Sequence, residues 1–329
     1  MTISPPVSRA SLSARADFPL AVGPAISQMR ASMLVVLTLV APDLSSLETN
    51  LPHALEAVAG AGCTIEETDV LGDGAADLIV KHDDPAVIQQ AAANALQYAP
   101  IDLCAQPLEH RRKRLLVADM DSTIIGCECL DEMADFAGLK AEVAAITERA
   151  MRGEVNFEAA LRERVAMLKG LPLADLARAY EERVRLNPGA RTLVRTMAAN
   201  GARCVLVSGG FDFFTRRVAE AAGFHLDRAN RLVEAEGALA GLVAEPILGR
   251  EAKLKTLIDE AAALGIDLID TLAVGDGAND LDMIRAAGLG VAYRAKPVVA
   301  AQADARIDHS DLTSLLYFQG YSADRFVTD

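Results

Sequence analysis

The alternation of apolar and polar positions divides the chain into two stretches with different orders of elements. In residues 32–107 the pattern predicts strand, helix, strand, strand, helix, strand, with a hairpin across Gly72-Asp73-Gly74. The strands are expected at 33–40, 64–71, 76–81 and 101–105, and the helices at 51–61 and 85–98. This order predicts a small α+β domain, which we call the N-terminal module.

From residue 115 onward the pattern predicts a larger α/β unit. A short apolar run at 115–118 is typical of a strand buried on both faces. Residues 128–182 are almost wholly helical in pattern, and strands return at 204–207, 272–274 and 289–292, with a small hairpin arm near 237–243. Strands alternating with helices predict a doubly wound parallel sheet, and the all-helical insertion after its first strand predicts a cap over the site.

Polar side chains follow three of these four strands at the point where each strand ends. The clusters are Asp119 with Asp121, then Ser208-Gly209-Gly210, then Asp276 with Asn279 and Asp280. Lys253 lies on the predicted helix that precedes the strand ending at Asp276. The carboxyl ends of parallel strands meet at one edge of a sheet, where α/β proteins bind ligands. Carboxylates suit a hard cation such as Mg²⁺, while a Ser-Gly-Gly turn and a lysine suit an anion. Together these groups predict phosphoryl transfer.

The nucleophile is predicted from the reactive side chains at these strand ends. None of the five histidines lies in a strand-end cluster, and the sequence contains no phosphate-binding P-loop. A carboxylate of the first cluster is therefore left to attack phosphorus and form an aspartyl phosphate. The second carboxylate, two residues on, can act as general acid and then as general base.

The four clusters, in this order and spacing, resemble the motifs of the haloacid dehalogenase superfamily, and residues 115–321 resemble its phosphoserine phosphatase family. The resemblance is carried by 119–123, 208–211, Lys253 and 275–280, together with Glu128 and the segment 156–165. It implies Mg²⁺-dependent hydrolysis of O-phosphoserine to serine and phosphate, the final step of serine biosynthesis. Two alternatives stay open: a phosphatase of this superfamily for another small phosphomonoester, and a non-catalytic amino-acid-sensing protein on the same scaffold.

The resemblance also implies a role for each motif residue. Asp119 would be the nucleophile and Asp121 the general acid and base, while Mg²⁺ would be held by Asp119, the backbone carbonyl of Asp121 and Asp276. Phosphate would be bound by Ser208, Gly209, Lys253 and Asn279. Asn279 and Asp280 would also support the loop and the lysine.

The predicted cap contains one arginine among apolar residues. Phe157, Arg164 and the leucines spaced with them follow one helical face, so Arg164 lies on an apolar stripe. A buried guanidinium is unfavourable unless an anion meets it, although a long side chain can also reach solvent from the edge of such a stripe. Glu128 and Arg164 facing one pocket would match the ammonium and carboxylate of an amino acid. The resemblance assigns both residues this role, with Phe157 and Met151 as pocket wall.

Composition and charge limit the binding partners and the cellular location that we expect. The 329 residues carry a formal net charge of −14, which disfavours nucleic-acid binding, and we expect the basic run 110–114 to be a solvated linker. Five scattered cysteines favour a reducing compartment, so we expect the cytoplasm. No apolar run reaches the ~18 residues that span a bilayer, so we expect no membrane partner. Residues 1–31 predict a loosely ordered leader rather than a transit peptide.

These patterns also predict domain boundaries. We expect the leader at 1–31, the N-terminal module at 32–107, a catalytic core formed by 108–127 and 188–329, and the cap at 128–187. The N-terminal module resembles the small amino-acid-binding regulatory domains of the ACT type, and it is a candidate surface for homodimer formation. Hinges for a closing cap are expected near Gly126 and Asn187-Pro188.

Overall fold

The computed structural model describes residues 33–151 and 154–328, so the predicted leader lies outside the described residues. The N-terminal module has the predicted order of elements: β1 (Leu34–Val40), α1 (Leu44–Gly60), β2 (Thr64–Gly72), β3 (Ala75–Lys81), α2 (Pro85–Ala95) and β4 (Asp102–Pro107). Its sheet has the order β2-β3-β1-β4, every neighbouring pair is antiparallel, and both helices pack on one face. This arrangement confirms the ACT-like α+β prediction.

Capping side chains explain where the two helices of the module begin. Helix α1 begins at Leu44 rather than at residue 51, because Asp43 accepts a hydrogen bond from the backbone N–H of Ser46 at 2.8 Å. Helix α2 begins at Pro85 as predicted, with the Asp84 side chain as its cap. It ends at Ala95, three residues before the predicted end.

The second unit is built on a six-stranded sheet with the order β12-β11-β10-β5-β6-β7, in which every neighbouring pair is parallel. Its strands are β5 (Leu115–Asp119), β6 (Arg203–Phe211), β7 (Leu226–Asn230), β10 (Thr271–Gly275), β11 (Leu289–Tyr293) and β12 (Ala305–Ile307). The chain runs from β5 outward to β7 and then returns to β10 on the other side of β5. The carboxyl end of β5 therefore lies where the strand order reverses, which is where such sheets bind ligands.

Helices cover both faces of this sheet. They are α7 (Ala190–Ala199), α8 (Asp212–Ala222), α9 (Arg250–Leu264), α10 (Leu281–Ala286), α11 (Pro297–Ala300) and α12 (Ser314–Phe318). Alternate residues of β5 point to opposite faces, so Leu116 joins a buried cluster with α7, α8 and α12, while Val117 joins another with α9 and α10. The doubly wound prediction is confirmed. Among the described residues, each helix is too short or too polar to cross a bilayer.

Two strands of the sheet were not predicted, and both lie at its edges. Strand β7 reads Leu-Asp-Arg-Ala-Asn, and four of its five residues are only half-buried. Strand β12 has three residues, with Arg306 exposed between two buried neighbours. The predicted interior strands are continuous apolar runs because both of their faces are covered. An edge strand lacks that pattern, so the apolar periodicity of the sequence does not mark β7 and β12.

Four helices stand between β5 and α7, as predicted for the cap: α3 (Cys129–Phe136), α4 (Lys140–Met151), α5 (Phe157–Met167) and α6 (Leu173–Arg183). The two connections to the core pair with each other, since Ile125 forms a β-bridge with Leu186 and Asn187 N–H donates to Ile124 O at 2.8 Å. These segments coincide with the expected hinges. The domain boundaries and the hinge function stay predictions.

A two-stranded arm also connects the core with the cap helices. Strands β8 (Leu232–Ala235) and β9 (Ala238–Val243) pair antiparallel, which agrees with the predicted hairpin. Leu239 exchanges backbone hydrogen bonds with the turn between α5 and α6: its carbonyl accepts from Gly170 at 2.8 Å and its N–H donates to Leu171 at 2.9 Å. The arm thus gives the cap a further attachment to the core, in addition to the two hinge segments.

The expectation of a solvated linker at 110–114 was wrong, because the basic side chains are fixed against other segments. Arg111 forms a 2.7 Å ion pair with Asp77 of β3, and its Nε donates to the carbonyl of Phe318 at the end of α12. The Arg112 guanidinium stacks 3.6 Å from the ring centre of Tyr321. Lys113 is 3% exposed, and its Nζ donates to a backbone carbonyl. The basic run therefore joins the N-terminal module to the end of the core.

Replacing Arg111 by Ala should strongly lower the free energy of unfolding. The Arg111 and Asp77 side chains are 11% and 3% exposed, so the substitution leaves a buried carboxylate without its cation. We expect a loss of about 3–5 kcal/mol, measured by urea denaturation. The matched control is Glu109→Ala in the same linker, whose side chain is 86% exposed and which should shift stability by less than about 0.5 kcal/mol. Equal effects of the two substitutions would contradict this account.

Candidate active site

Asp119 ends the buried strand β5 and contacts a buried lysine. Lys253 lies in the first turn of α9, and its Nζ donates to Asp119 Oδ1 at 2.6 Å and to Asp280 Oδ1 at 2.5 Å. Burial lowers the pKa of Lys253, but the two carboxylates outweigh it, so the net shift is upward. Burial and the charge of Asp280 raise the pKa of Asp119, while Lys253 opposes them. The lysine is therefore the cation that favours ionised Asp119.

Asp121 is held in a sharp turn directly after β5. Ser122 adopts a positive φ of 58°, and this turn directs the chain toward the cap. The Asp121 carboxylate accepts the Cys129 backbone N–H at 2.9 Å on Oδ1 and the Ser208 hydroxyl at 2.9 Å on Oδ2. Burial raises the pKa of Asp121, and the hydrogen bonds from these two donors oppose that rise. A carboxyl group whose pKa lies above its ordinary range can carry a proton closer to neutral pH, as general acid catalysis requires.

Three carboxylates converge at the ends of β5 and β10 and fit a hard metal ion. Asp119, Asp276 and Asp280 each offer an oxygen, and these oxygens lie within 4.8 Å of one another. Both oxygens of Asp280 already accept hydrogen bonds, one from Lys253 and one from the Gly277 N–H at 3.0 Å. Asp119 and Asp276 are therefore the carboxylates left to face a cation. An all-oxygen donor set suits a hard divalent metal rather than a soft one.

The end of β6 forms a small concave turn beside Asp121. The Ser208 hydroxyl accepts the Gly210 N–H at 2.8 Å, and the Gly209 carbonyl accepts from Asn230 at 2.9 Å. A Cβ on Gly210 would lie 3.0 Å from Ser208 Oγ and 3.1 Å from Asp121 Oδ2, so only glycine fits there without displacing them. The turn leads directly into α8, whose first N–H groups favour an anion.

A cavity of about 400 Å³ joins these strand ends to the cap helices. The predicted residues on its wall are Asp119, Asp121, Glu128, Phe157, Arg164, Ser208, Gly209, Asp276 and Asn279. Lys253 and Asp280 are buried behind Asp119. The side chain of Met151 lies outside the described residues. The structure thus brings together residues that the sequence places up to 160 positions apart, from Asp119 to Asn279.

The cap contributes two opposite charges to the cavity. Glu128 Oε1 accepts the Ser122 hydroxyl at 2.7 Å, and the residue as a whole is exposed. Partial desolvation of its carboxyl at the cavity and, after it, repulsion by the charge of Asp121 raise the pKa of Glu128 to about 7. Arg164 is half-buried, and desolvation lowers its pKa while Asp131 and Glu128 oppose that shift. Arg164 faces the cavity, which favours the anion-binding interpretation over an arginine that extends into solvent at the stripe's edge.

Four further residues on the cavity wall were missed in the sequence: Leu130, Asp131, Thr147 and Lys296. Asp131 lies three positions after Glu128, and Thr147 lies four positions before Met151, so helical spacing from predicted residues could have found both. Lys296 lies three residues after the end of β11, the fourth predicted strand. Its N–H donates to the carbonyl of Asp276 at 3.2 Å.

The fold and this site agree with a known enzyme class. The family model for haloacid dehalogenase-like hydrolases matches residues 116–285, which is more than half of the chain. The chain therefore belongs to the haloacid dehalogenase-like hydrolase family. The match begins within β5 and ends within α10, so it spans Asp119, Asp121, Ser208, Lys253 and Asp276.

Individual proteins and solved structures within this family are also similar to the chain. Phosphoserine phosphatase of Polaromonas sp. (strain JS666) is 49% identical over 208 residues, which cover 62% of this chain and 88% of that protein. The structure of a HAD family hydrolase from Salmonella enterica serovar Typhi superposes with a TM-score of 0.77 at 28% identity, covering 87% of this chain and 98% of that one. A probable phosphoserine phosphatase from Vibrio cholerae, in unliganded form, gives a TM-score of 0.70 at 30% identity, covering 90% and 88%.

Proposed function

We propose that the protein hydrolyses O-phosphoserine to serine and inorganic phosphate, the final step of serine biosynthesis. The observation that carries this proposal is the cavity in which Glu128 and Arg164 of the cap face the strand-end carboxylates. A carboxylate and a guanidinium on one wall match the ammonium and carboxylate of an amino acid, and the opposite wall matches a phosphate. The similarity to phosphoserine phosphatases of other organisms supports the same substrate.

In this proposal Asp119 attacks phosphorus and Asp121 handles the proton. The bond between phosphorus and the serine oxygen breaks as the bond to an Asp119 oxygen forms, and Asp121 gives its proton to the departing serine oxygen. Asp121 then takes a proton from the water that hydrolyses the aspartyl phosphate, and free phosphate leaves. The hydrogen bond from Ser208 and the Cys129 N–H hold the Asp121 carboxyl in one orientation for both steps.

The remaining motif residues bind charge. Ser208, Gly209, Lys253 and Asn279 would bind the phosphate, while Asp280 fixes Lys253 through the 2.5 Å contact and the loop through Gly277. Asp119, the carbonyl of Asp121 and Asp276 would hold Mg²⁺. When bound, the metal neutralises charge on the transferred phosphoryl group. Phe157 and Met151 would form the wall beside the amino-acid part.

The proposed binding of the substrate ammonium by Glu128 predicts a pH-dependent KM. The pKa of Glu128 is raised to about 7, so the carboxyl is ionised above that pH and neutral below it. KM for phosphoserine should therefore rise as pH falls through about 7, while the Glu128→Gln variant has a higher KM at neutral pH and lacks this component. Steady-state kinetics from pH 6 to 8.5 measure it; an unchanged pH profile in the variant would contradict the assignment.

Phosphate release from phosphoserine, with Mg²⁺ and with EDTA, tests the proposed function directly. We expect turnover that requires the metal, and faster turnover of phosphoserine than of glycerol phosphate or phosphoethanolamine. Equal rates on all three, with no effect of Arg164→Ala on phosphoserine, would favour a phosphatase for another small phosphomonoester. Absence of metal-dependent release from every substrate, with serine still bound, would favour a non-catalytic sensor.

The setting and the assembly of the protein belong to the same proposal. A cytoplasmic location is supported by five free cysteines, since thiols persist in reducing compartments. A homodimer through the N-terminal module is supported by β2, the edge strand of its sheet, whose side chains are mostly exposed. Sedimentation analysis of the purified chain tests the dimer, and a monomer at micromolar concentration would contradict it.

A further inference from the structure

Two groups of the protein fix the guanidinium of Arg164 within the cavity. Its Nε donates to the carbonyl of Ala160, one turn earlier in α5, at 3.2 Å. Its Nη1 donates to the Thr147 hydroxyl oxygen at 3.3 Å. Thr147 lies on the neighbouring helix α4 and is itself on the cavity wall. One contact is thus within the helix of Arg164, and the other comes from a different helix.

The Thr147 hydroxyl is oriented so that it can accept from Arg164. Its own hydrogen is donated to the carbonyl of Val143, four residues earlier in α4, at 3.1 Å. This back-bonding is a common use of a threonine inside a helix. It leaves the lone pairs of the oxygen to face α5. The hydroxyl therefore works as a fixed acceptor, and the backbone of α4 determines its direction.

The two contacts determine which part of the guanidinium is left for a ligand. An arginine has five N–H groups in a planar fork, of which one on Nε and one on Nη1 are used here. The other three, on Nη1 and Nη2, have no hydrogen-bond partner among the residues that the structure describes. Since Nε is engaged, a carboxylate can be bound by two parallel hydrogen bonds only at the Nη1–Nη2 end.

We propose that Thr147 is a positioning residue for substrate recognition: its hydroxyl turns the Nη1–Nη2 end of Arg164 toward the α-carboxylate of the amino-acid substrate. This inference rests on the proposed function. The carboxylate subsite thus depends on two helices, with the charge supplied by α5 and its orientation by α4. A substrate without an α-carboxylate does not use this orientation.

The experiment compares Thr147→Val, which keeps the shape and loses the hydroxyl, with Thr147→Ser, which keeps the hydroxyl. With Mg²⁺ and phosphoserine, the valine variant should raise KM about tenfold or more while kcat changes less than about threefold, because a hydrogen bond to a charged group is lost. Inhibition by inorganic phosphate should be unchanged, since phosphate binds at the strand ends. The serine variant should stay close to the wild-type KM.

Glu163→Gln is the matched control for the packing of the two helices. Glu163 of α5 forms an exposed 3.1 Å ion pair with Arg149 of α4, so its loss loosens the same helix pair without touching Arg164. Its KM should equal that of the wild type. An unchanged KM in Thr147→Val, or an equal loss of phosphate inhibition, overturns the positioning role while the wild-type activity still supports the proposed function. Absence of phosphoserine turnover by the wild type overturns both.

Discussion

The Asp119→Asn variant should lose at least about 10⁴-fold in kcat for phosphoserine, because an amide cannot form the acyl phosphate and removal of a nucleophile has effects of this size or larger. The substitution is nearly isosteric, and its Oδ1 can still accept from Lys253, which also keeps its contact with Asp280. The variant should therefore stay folded and still bind inorganic phosphate. Steady-state kinetics with Mg²⁺, together with inhibition by phosphate and thermal denaturation of the variant, measure these expectations.

The control for charge removal is Asp282→Asn. Asp282 lies on α10 and pairs with Arg250 on the surface, outside the cavity wall, so its loss changes net charge by the same amount as the Asp119 variant. Its kcat should be close to that of the wild type. If Asp119→Asn kept more than a tenth of the wild-type kcat, the attacking group would have to be another residue.

The buried strands could be predicted because burial on both faces leaves an unbroken apolar run. Strands β5 and β10 are buried at every residue, and the sequence alone located both within one or two positions. The edge strand β7 has a largely polar sequence, since four of its five residues are partly exposed, and no periodic pattern marks it. Central elements are therefore visible in the sequence, whereas edges depend on which strand they pair with.

The residues of the candidate active site also divide into those that the sequence pattern locates and those that depend on tertiary packing. Asp119, Ser208 and Asp276 could be predicted to converge because parallel strands bring their carboxyl ends to one edge of the sheet whatever the details of packing. Helical spacing from Met151 places Thr147 on the same side of α4, but its contact with Arg164 depends on the register in which α4 packs beside α5, and no pattern in the sequence sets that register. The basic run 110–114 shows the same limit, since the backbone acceptors of Arg111 and Arg112 lie at 317–320 and those of the Lys113 side chain at 269 and 288.

The cap is attached to the core both by the expected hinge segments and by the two-stranded arm. The paired segments at Ile125 and Leu186 can act as a hinge, but the arm holds the turn between α5 and α6 through Leu239. A rigid rotation of the cap about the hinge alone would break these hydrogen bonds. Closure, if it follows the predicted hinge, therefore requires the arm to move together with α5.

The Asp121→Asn variant should lose about 10³-fold in kcat for phosphoserine, within the range for removal of a general acid and base. The asparagine can keep both contacts of the turn, because its oxygen accepts from Cys129 and its amide can donate to Ser208. What it cannot do is give a proton to the serine oxygen or take one from water. The fold and the affinity for inorganic phosphate should therefore be retained while both chemical steps slow.

A substrate with a better leaving group separates the two steps. Because p-nitrophenolate departs with little help from an acid, p-nitrophenyl phosphate should still phosphorylate Asp119 in the Asp121→Asn variant. The variant should then release a burst of nitrophenolate equal to the enzyme concentration, followed by slow turnover limited by hydrolysis of the aspartyl phosphate. Asp119→Asn should give no burst. Stopped-flow absorbance measures the bursts of both variants. If Asp121→Asn lost activity equally on phosphoserine and on p-nitrophenyl phosphate and gave no burst, the proton transfers would have to be assigned to another group.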